Sequence, residues 1–326
     1  MIQEFKAAPF FVPDSEELRY LPEGPHVLRN CPGPPSLGWV AIQHGDGLRY
    51  GSMNVLDLAT RVNVSHVLPG RPGFFAETSE PGVVLVGLER RLVYLDLRTG
   101  AVEETGASLQ DDESVIINDG LAVDGGVLFG TKHLEFNRPI AALYHFDPRT
   151  NAIRTVIGGQ TCSNGKVLRS DGEGATLIDI DSTPKTITRY RMDADLRTVL
   201  DSSLVVSPDS LPAYPDGMRS APACDGAGEG ESVIVAFFNP GAVADGEAWQ
   251  IRISDGEVLC RWVVPGAPRV TCPEFVERDG QVKLLFTTAL EGMAPEIRAL
   301  APMSGSIFIA DTPFLAMPAN GVYVSR

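Results

Sequence analysis

The chain has few basic residues, and this shortage excludes one class of partner. Its 326 residues include 27 Lys and Arg against 42 Asp and Glu, a formal net charge of −15 at pH 7. A nucleic-acid partner requires a basic stripe that can follow the phosphate backbone, and no part of the sequence provides one. We therefore expect no nucleic-acid partner.

Long apolar runs are also missing. No stretch approaches the roughly 20 residues that cross a bilayer as a helix. The N-terminal sequence MIQEFKAAPFFVPDSEELRY is interrupted by charged residues and proline, so it lacks the apolar segment of a signal peptide. We expect a cytoplasmic protein with no membrane partner, and nothing in the sequence predicts an oligomeric state.

Cysteines are few, odd in number and widely separated. This arrangement excludes a disulfide framework and a CxxC metal site. We expect the side chains to be buried as small apolar groups. The five residues are Cys31, Cys162, Cys224, Cys260 and Cys272.

Helical periodicity is nearly absent, whereas short β-rich runs alternate with turn residues along the whole chain. The 33 Gly and 25 Pro provide the breaks between these runs. The clearest hairpins turn at Asp255-Gly256 and Asp279-Gly280. The sequence therefore predicts an all-β protein.

A strand-turn-strand unit with an Asp near its turn recurs about every 50 residues, a period typical of a four-stranded propeller blade. A further unit, IRALAPMSGSIFIAD, would turn at Ser304-Gly305. We predict a single domain over residues 1–326 (core about 20–310): a six-bladed β-propeller with four-stranded blades, closed by its N- and C-terminal strands together. The marker residues are Asp57, Asp96, Asp147, Asp193 and Asp255.

Three triplets, NDG at Asn118, SNG at Asn164 and PDG at Asp216, are spaced by about one repeat each. Glu23, in LPEGPHVL, lies about two repeats before Asn118. Matching positions in separate blades would place these side chains in a ring at one mouth of the central channel. For the first triplet, Asp119-Gly120 would then make the turn behind Asn118.

Two carboxylates and two carboxamides form an all-oxygen set with a charge of about −2. Such a set suits a hard divalent cation such as Ca²⁺ or Mg²⁺. The same triplets are also typical of plain turns, and Glu23 alone could be a surface residue. Residue types leave both interpretations open.

Several motifs resemble the senescence-marker-protein, gluconolactonase and luciferin-regenerating-enzyme family, whose members are six-bladed propellers. The resemblance covers about residues 20 to 310. It implies that Glu23, Asn164 and Asp216 bind a divalent cation and that Asn118 joins the site. The motifs are LPEGPHVL, INDGLAVDGGVLFGTKHLE, CSNGKVL followed by IDIDSTPKTITRYRMD, PDGM and RVTCPEFV.

The activity implied by this resemblance is hydrolysis of a small-molecule lactone. The cation would polarise the ring carbonyl and activate water, with Asp216 as general base and Asn118 orienting substrate or water. One divalent cation is expected as cofactor: Ca²⁺ first, with Mg²⁺, Mn²⁺ and Zn²⁺ as alternatives.

The sequence departs from the family pattern at positions that affect specificity. Many sugar-lactone members have an Arg where this chain has Ile116, which makes polyol recognition doubtful. Glu135 matches an acidic substrate-contacting position of some relatives. Lys132 replaces the usual Met and could meet a carboxylate or carbonyl, or lie at the blade surface. His133 is a further candidate for the pocket.

Two other functions fit the same scaffold, because a propeller alone does not determine its chemistry. One is an esterase or phosphotriesterase that uses the same cation. The other is a non-catalytic, calcium-binding regulatory protein.

Overall fold

The chain folds into six β-sheets arranged as the blades of a propeller. The computed structural model describes residues 2–110, 112–170, 172–224, 227–318 and 322–326. The strands, in chain order, are β1 (Gln3–Lys6), β2 (Ala8–Phe11), β3 (Pro22–Leu28), β4 (Ser36–Ala41), β5 (Gly51–Asp57), β6 (Asn63–Leu68), β7 (Pro72–Glu77), β8 (Val83–Leu88), β9 (Arg91–Asp96), β10 (Val102–Ser108), β11 (Val115–Val123), β12 (Gly126–His133), β13 (Ala141–Asp147), β14 (Ala152–Gln160), β15 (Ser163–Ser170), β16 (Ala175–Asp181), β17 (Thr186–Met192), β18 (Val199–Leu204), β19 (Tyr214–Ser220), β20 (Ser232–Phe238), β21 (Gly246–Arg252), β22 (Val258–Val264), β23 (Val270–Arg278), β24 (Gln281–Thr288) and β25 (Ile307–Asp311).

Each blade is an antiparallel meander that begins at the central channel. Blades 1 to 5 run β3 to β6, β7 to β10, β11 to β14, β15 to β18 and β19 to β22, and blade 6 consists of β23, β24, β25 and β2. The first strand of each blade packs against the first strands of its neighbours. Helices are short: α1 (Glu16–Tyr20), α2 (Pro295–Leu300) and a 3-10 turn at Pro208–Ser210. The predicted fold class is confirmed.

The two ends of the chain close the ring in blade 6, as predicted. Strand β2 pairs antiparallel with β25, Ala8 lying opposite Ile309. Strand β1 then adds in parallel to the edge of blade 5, where Phe5 stacks on the buried Trp262 with ring centroids 5.7 Å apart. These contacts cover two sheet edges that would otherwise be open to pairing with other chains.

The five Asp markers all lie at the turn between the third and fourth strands of blades 1 to 5, as the repeat predicts. Their carboxylates cap the turn, and Asp57 Oδ1 accepts hydrogen bonds from the backbone N–H groups of Ala59 (2.8 Å) and Thr60 (2.9 Å). The prediction for the sixth unit is wrong in its first half. Within IRALAPMSGSIFIAD, the first four residues belong to α2, which ends at Leu300, and only the residues from Ile307 onward form a strand. Blade 6 needs no such hairpin because its fourth strand comes from the N-terminus.

The NDG, SNG and PDG triplets are not turns. They lie inside the first strands β11, β15 and β19, and each coincides with a shift of register against the second strand. Strand β3 shifts in the same way between Glu23 and His26. A bulge of this kind re-aims a side chain. The predicted turn at Asp119-Gly120 is therefore wrong, because Asp124-Gly125 turns the chain between β11 and β12.

Glycine directly follows Asn164 and Asp216 because the neighbouring blade passes very close there. A Cβ at Gly165 would lie 2.4 Å from the backbone nitrogen of Met218 in blade 5. A Cβ at Gly217 would lie 2.3 Å from Cys272 Sγ in blade 6. Both distances are well inside van der Waals contact, so the glycines permit the close packing of the inner strands.

Six charged or titratable side chains from the six inner strands interact along the channel. Lys166 Nζ pairs with Asp119 at 3.1 Å, and Arg219 Nε pairs with Glu274 at 3.1 Å. His26 bridges two acids, with Nδ1 3.5 Å from Glu274 and Nε2 3.6 Å from Glu77. Three acids therefore face two permanent cations and one histidine, and the charges balance when the histidine is protonated.

The geometry favours that protonated form. Burial lowers the pKa of His26, but the hydrogen bonds to Glu274 and Glu77 outweigh burial, so the pKa lies above its ordinary value of 6.5. Burial likewise raises the pKa of Glu77 and Glu274, yet their basic partners lower both below the ordinary value of 4.5. The inner strands are thus joined by mutually stabilised charges.

The described residues contain no helix that is long and apolar enough to span a membrane. The five cysteines form no disulfide within the described part of the chain.

Replacing Gly165 with Ala should destabilise the propeller. The added methyl would meet backbone atoms of the next blade, which cannot rotate away, so we expect a loss of about 1–3 kcal/mol. Urea unfolding followed by tryptophan fluorescence measures the change. Gly158→Ala is the matched control, because nothing lies within 4 Å of a Cβ at that position. Equal stabilities for the two variants would contradict the close-packing account.

The effect of the His26→Gln substitution on the free energy of unfolding should depend on pH. The pKa of His26 is higher in the native state than its unfolded value of 6.5, so protonation of His26 stabilises the fold fully below pH 6.5. This stabilisation is lost as the pH rises through the native pKa. Glu77 and Glu274 lose their stabilising effect when they become protonated as the pH falls below 4.5. The difference in unfolding free energy between wild type and variant should therefore be largest between these two pH values.

Urea unfolding of both proteins at several pH values tests this window. His145→Gln serves as control because burial lowers the pKa of His145 to about 4, which reverses the sign. Wild type should lose stability relative to that control variant as pH falls. A difference for His26→Gln that is independent of pH would refute the bridging role.

Candidate functional site

A cavity of about 340 Å³ opens where the bulged inner strands begin. The four residues that the triplets and LPEGPHVL single out all line it. Three are nearly buried, with 6%, 8% and 6% of the surface of Asn118, Asn164 and Asp216 exposed. Glu23 keeps a more open face. The structure therefore brings together side chains from blades 1, 3, 4 and 5.

Both carboxamides are oriented by hydrogen bonds through their nitrogens. Asn118 Nδ2 donates to the Ser163 carbonyl at 3.1 Å. Asn164 Nδ2 donates to Ser182 Oγ at 3.1 Å, and that hydroxyl donates to the Pro215 carbonyl at 2.6 Å. No described group donates to either Oδ1. Each side chain thus leaves an oxygen free to accept a ligand.

The IDIDS segment of blade 4 holds the backbone beside Asn164. The Asp181 carboxylate accepts the N–H groups of Thr161 (3.0 Å) and Cys162 (2.8 Å). These bonds fix the chain that enters β15 just before the SNG triplet. Together with the Ser182 bridge to Pro215, they connect the ligand positions of blades 4 and 5.

Without a bound cation, burial and neighbouring negative charges destabilise the ionised carboxylates of Glu23 and Asp216. Burial is the main factor that raises the pKa of Glu23 well above 4.5, and the charges of Asp216 and Asp119 raise it further. Burial and Asp119 raise the pKa of Asp216 well above 3.8 in the same way, against a hydrogen bond with Asn164. Like charges held in a poorly hydrated site favour proton uptake or a bound cation.

Two further charged residues line the cavity. Lys132, only 8% exposed, lies near enough to lower the pKa of both Glu23 and Asp216. Its Nζ is 5.9 Å from the centroid of the Phe136 ring. Glu291 contributes a third carboxylate. Sequence reasoning missed Glu291, which lies in a segment without a family motif.

Much of the remaining wall is apolar. Leu21, Phe136, Tyr214, Pro215 and Phe238 contribute to it. Cys162 also lines the cavity, but burial raises the pKa of its thiol, so the sulfur stays protonated and is a poor nucleophile. The site therefore contains one oxygen-rich end and one hydrocarbon wall.

Three residues proposed from sequence for substrate contact do not line this cavity. Ile116 is buried and faces Lys132 across the β11–β12 pair. Glu135 is exposed and accepts a hydrogen bond from Asn137 at 3.1 Å. His133 is buried, and its Nδ1 accepts the N–H of Asn137 at 3.4 Å. Side chains alternate along β12, so Lys132 and His133 point to opposite faces.

The donor set fits a hard divalent cation. No cluster of three or more His, Cys, Asp or Glu residues arranged as metal ligands occurs among the described residues. The site instead combines the carboxylates of Glu23 and Asp216 with the unengaged oxygens of Asn118 and Asn164. Oxygen donors and two strained carboxylates match the preferences of Ca²⁺, Mg²⁺ and Mn²⁺.

Known proteins resemble this chain in sequence or in structure. L-arabinolactonase from Azospirillum brasilense is 24% identical over 253 residues, which are 77% of this chain and 77% of the relative. The structure of the calcium-binding protein regucalcin from Agrobacterium tumefaciens superposes with a TM-score of 0.76 at 20% identity, covering 100% of this chain and 99% of that one.

A luciferin-regenerating enzyme also superposes with a TM-score of 0.76, at 19% identity over 98% of this chain and 100% of that one. The sequence model of the SMP-30/gluconolactonase/LRE-like region matches residues 21–290, which contain all four oxygen donors. The chain belongs to the SMP-30/gluconolactonase/LRE-like family.

Proposed function

We propose that this protein is a divalent-metal-dependent hydrolase of a lactone. The convergence of Glu23, Asp216, Asn118 and Asn164 in the lining of one cavity carries the proposal. The similarity to an L-arabinolactonase supports the ester chemistry. The regucalcin relative, described as calcium-binding, supports Ca²⁺ as the first cation to test.

Glu23 and Asp216 would hold the cation by charge, and the carboxamides of Asn118 and Asn164 would add neutral oxygens. The Ser163 carbonyl and Ser182 hydroxyl keep those carboxamides turned toward the site. The chemistry that a divalent cation supplies when bound is polarisation of the ester carbonyl and a lower pKa for water.

Asp216 is the proposed general base. It would take the proton of the attacking water as the water oxygen bonds to the carbonyl carbon. Cleavage of the ring C–O bond then gives an alkoxide, to which Asp216 returns the proton, leaving a hydroxy acid. Such a role contributes about 10²–10⁴-fold to rate. Asn118 would orient the carbonyl or the water.

The apolar wall indicates the kind of ring that fits. Leu21, Phe136 and Phe238 favour hydrocarbon surface, and the chain has Ile116 where an Arg could have reached sugar hydroxyls. We therefore propose a sparsely hydroxylated lactone in preference to a simple aldonolactone.

Hydrolysis of a lactone panel by chelator-treated protein should depend on added cation. We expect restoration by Ca²⁺, Mg²⁺, Mn²⁺ or Zn²⁺, with higher kcat/KM for sparsely hydroxylated rings than for aldonolactones, measured with a pH indicator. The same cations should raise the unfolding temperature, since binding to the native state stabilises it. Stabilisation without turnover of lactones or phosphotriesters would instead support a binding protein, and activity unaffected by chelation would refute the metal role.

Asp216→Asn should reduce lactone turnover at least about 10²-fold while preserving the fold. Because Asp216 is buried beside like charges, its neutral isostere should leave the cation-free protein at least as stable as wild type. The stabilisation produced by Ca²⁺ should be largely lost. Thermal unfolding and the indicator assay measure these effects.

Asp201→Asn is the matched control, since Asp201 is exposed on the outer strand of blade 4 and the charge change is the same. That control should retain both turnover and cation response. Full activity of Asp216→Asn would eliminate the general-base assignment.

A further inference from the structure

We propose that Lys132 makes the cavity selective for lactones that carry a carboxylate substituent. This inference rests on the proposed lactonase function and specifies its substrate class. It arises from an ammonium group that the fold buries in the cavity without giving it an anionic partner.

Lys132 forms no ion pair or hydrogen bond through Nζ with any described residue. Its ammonium lies over the face of the Phe136 ring. By contrast, the two cations of the inner strands are paired with acids: Lys166 with Asp119, and Arg219 with Glu274. A buried ammonium without a partner is costly, so its charge is available to a ligand.

Its position places that charge on the substrate side of the site. Lys132 lies directly opposite Ile116 across the β11–β12 pair. Ile116 is two residues before Asn118, which belongs to the proposed cation site. The positive charge therefore projects from the second strand of blade 3, over a neutral position on the first strand. Glu23 and Asp216 line the same cavity, and neither forms an ion pair with Lys132.

The surroundings favour a carboxylate over other oxygen groups. Lys132 is the single cationic side chain among the described residues that line the cavity, and Leu21, Phe136 and Phe238 add hydrocarbon surface. A single ammonium matches one negative charge, and it lacks the planar fork with which Arg binds phosphate. The ring would lie against the apolar wall, with its carbonyl at the oxygen-rich end and its carboxylate at Lys132.

The test compares a γ-butyrolactone bearing a carboxymethyl group with its carboxamide, in the presence of the activating cation. Wild type should prefer the carboxylate by about tenfold or more in kcat/KM, as expected for a charge-assisted hydrogen bond. Lys132→Met should abolish most of this preference, mainly through a higher KM for the acid. Lys132→Arg should retain part of it.

Lys283→Met is the control, because Lys283 pairs with Asp311 in blade 6, does not line the cavity, and gives the same change in net charge. It should keep the wild-type preference. A ratio of acid to amide that is the same in Lys132→Met as in wild type would overturn the proposal, as would a wild-type preference for the amide.

A binding measurement separates this inference from the proposed activity. Isothermal titration with a tetrahydrofuran bearing the same carboxymethyl group requires no hydrolysis. If wild type hydrolyses no lactone, the proposed function fails. Tighter binding of this acid than of its amide, lost in Lys132→Met, would still support the carboxylate site, whereas equal affinities would refute it.

Discussion

The close approach of six inner strands around one axis is the constraint on which the rest of the structure depends. Every inner strand shifts register near its start, and glycines such as Gly165 and Gly217 let neighbouring backbones pass at distances that no side chain tolerates. The same bulges turn Asn118, Asn164 and Asp216 toward the mouth of the channel. Packing and ligand placement therefore have one physical origin.

Two layers of charge lie along the channel and differ in how they are balanced. The deeper layer is nearly neutral, since Lys166, Arg219 and His26 face three acids. The layer at the mouth has an excess of carboxylates, and Lys132 offsets only part of it. Among the described residues, the mouth is therefore the more negative part of the channel.

The turn chemistry and the family motifs were readable from the sequence because both are local. The Asp markers predict five of the blade turns, and the motifs predict the four oxygen donors of the cavity. The predicted turn at Asp119-Gly120 was wrong because Asn-Asp-Gly has the same composition in a turn and in a bulge, and only the neighbouring blade distinguishes them. The helix α2 and the exposed position of Glu135 likewise depend on distant contacts. The unpaired state of Lys132 is a property of the assembled cavity and has no local signal.

Closure of blade 6 by β2 has a consequence for how the site is made in the cell. Strand β2 finds its partner β25 about 300 residues later, so the N-terminal segment must wait for the last blade to be synthesised. Glu23 follows β2 closely and joins donors from blades 3, 4 and 5 only when the ring is complete. A nascent chain released early therefore contains most of the propeller but lacks the strand that β2 must pair with to close blade 6.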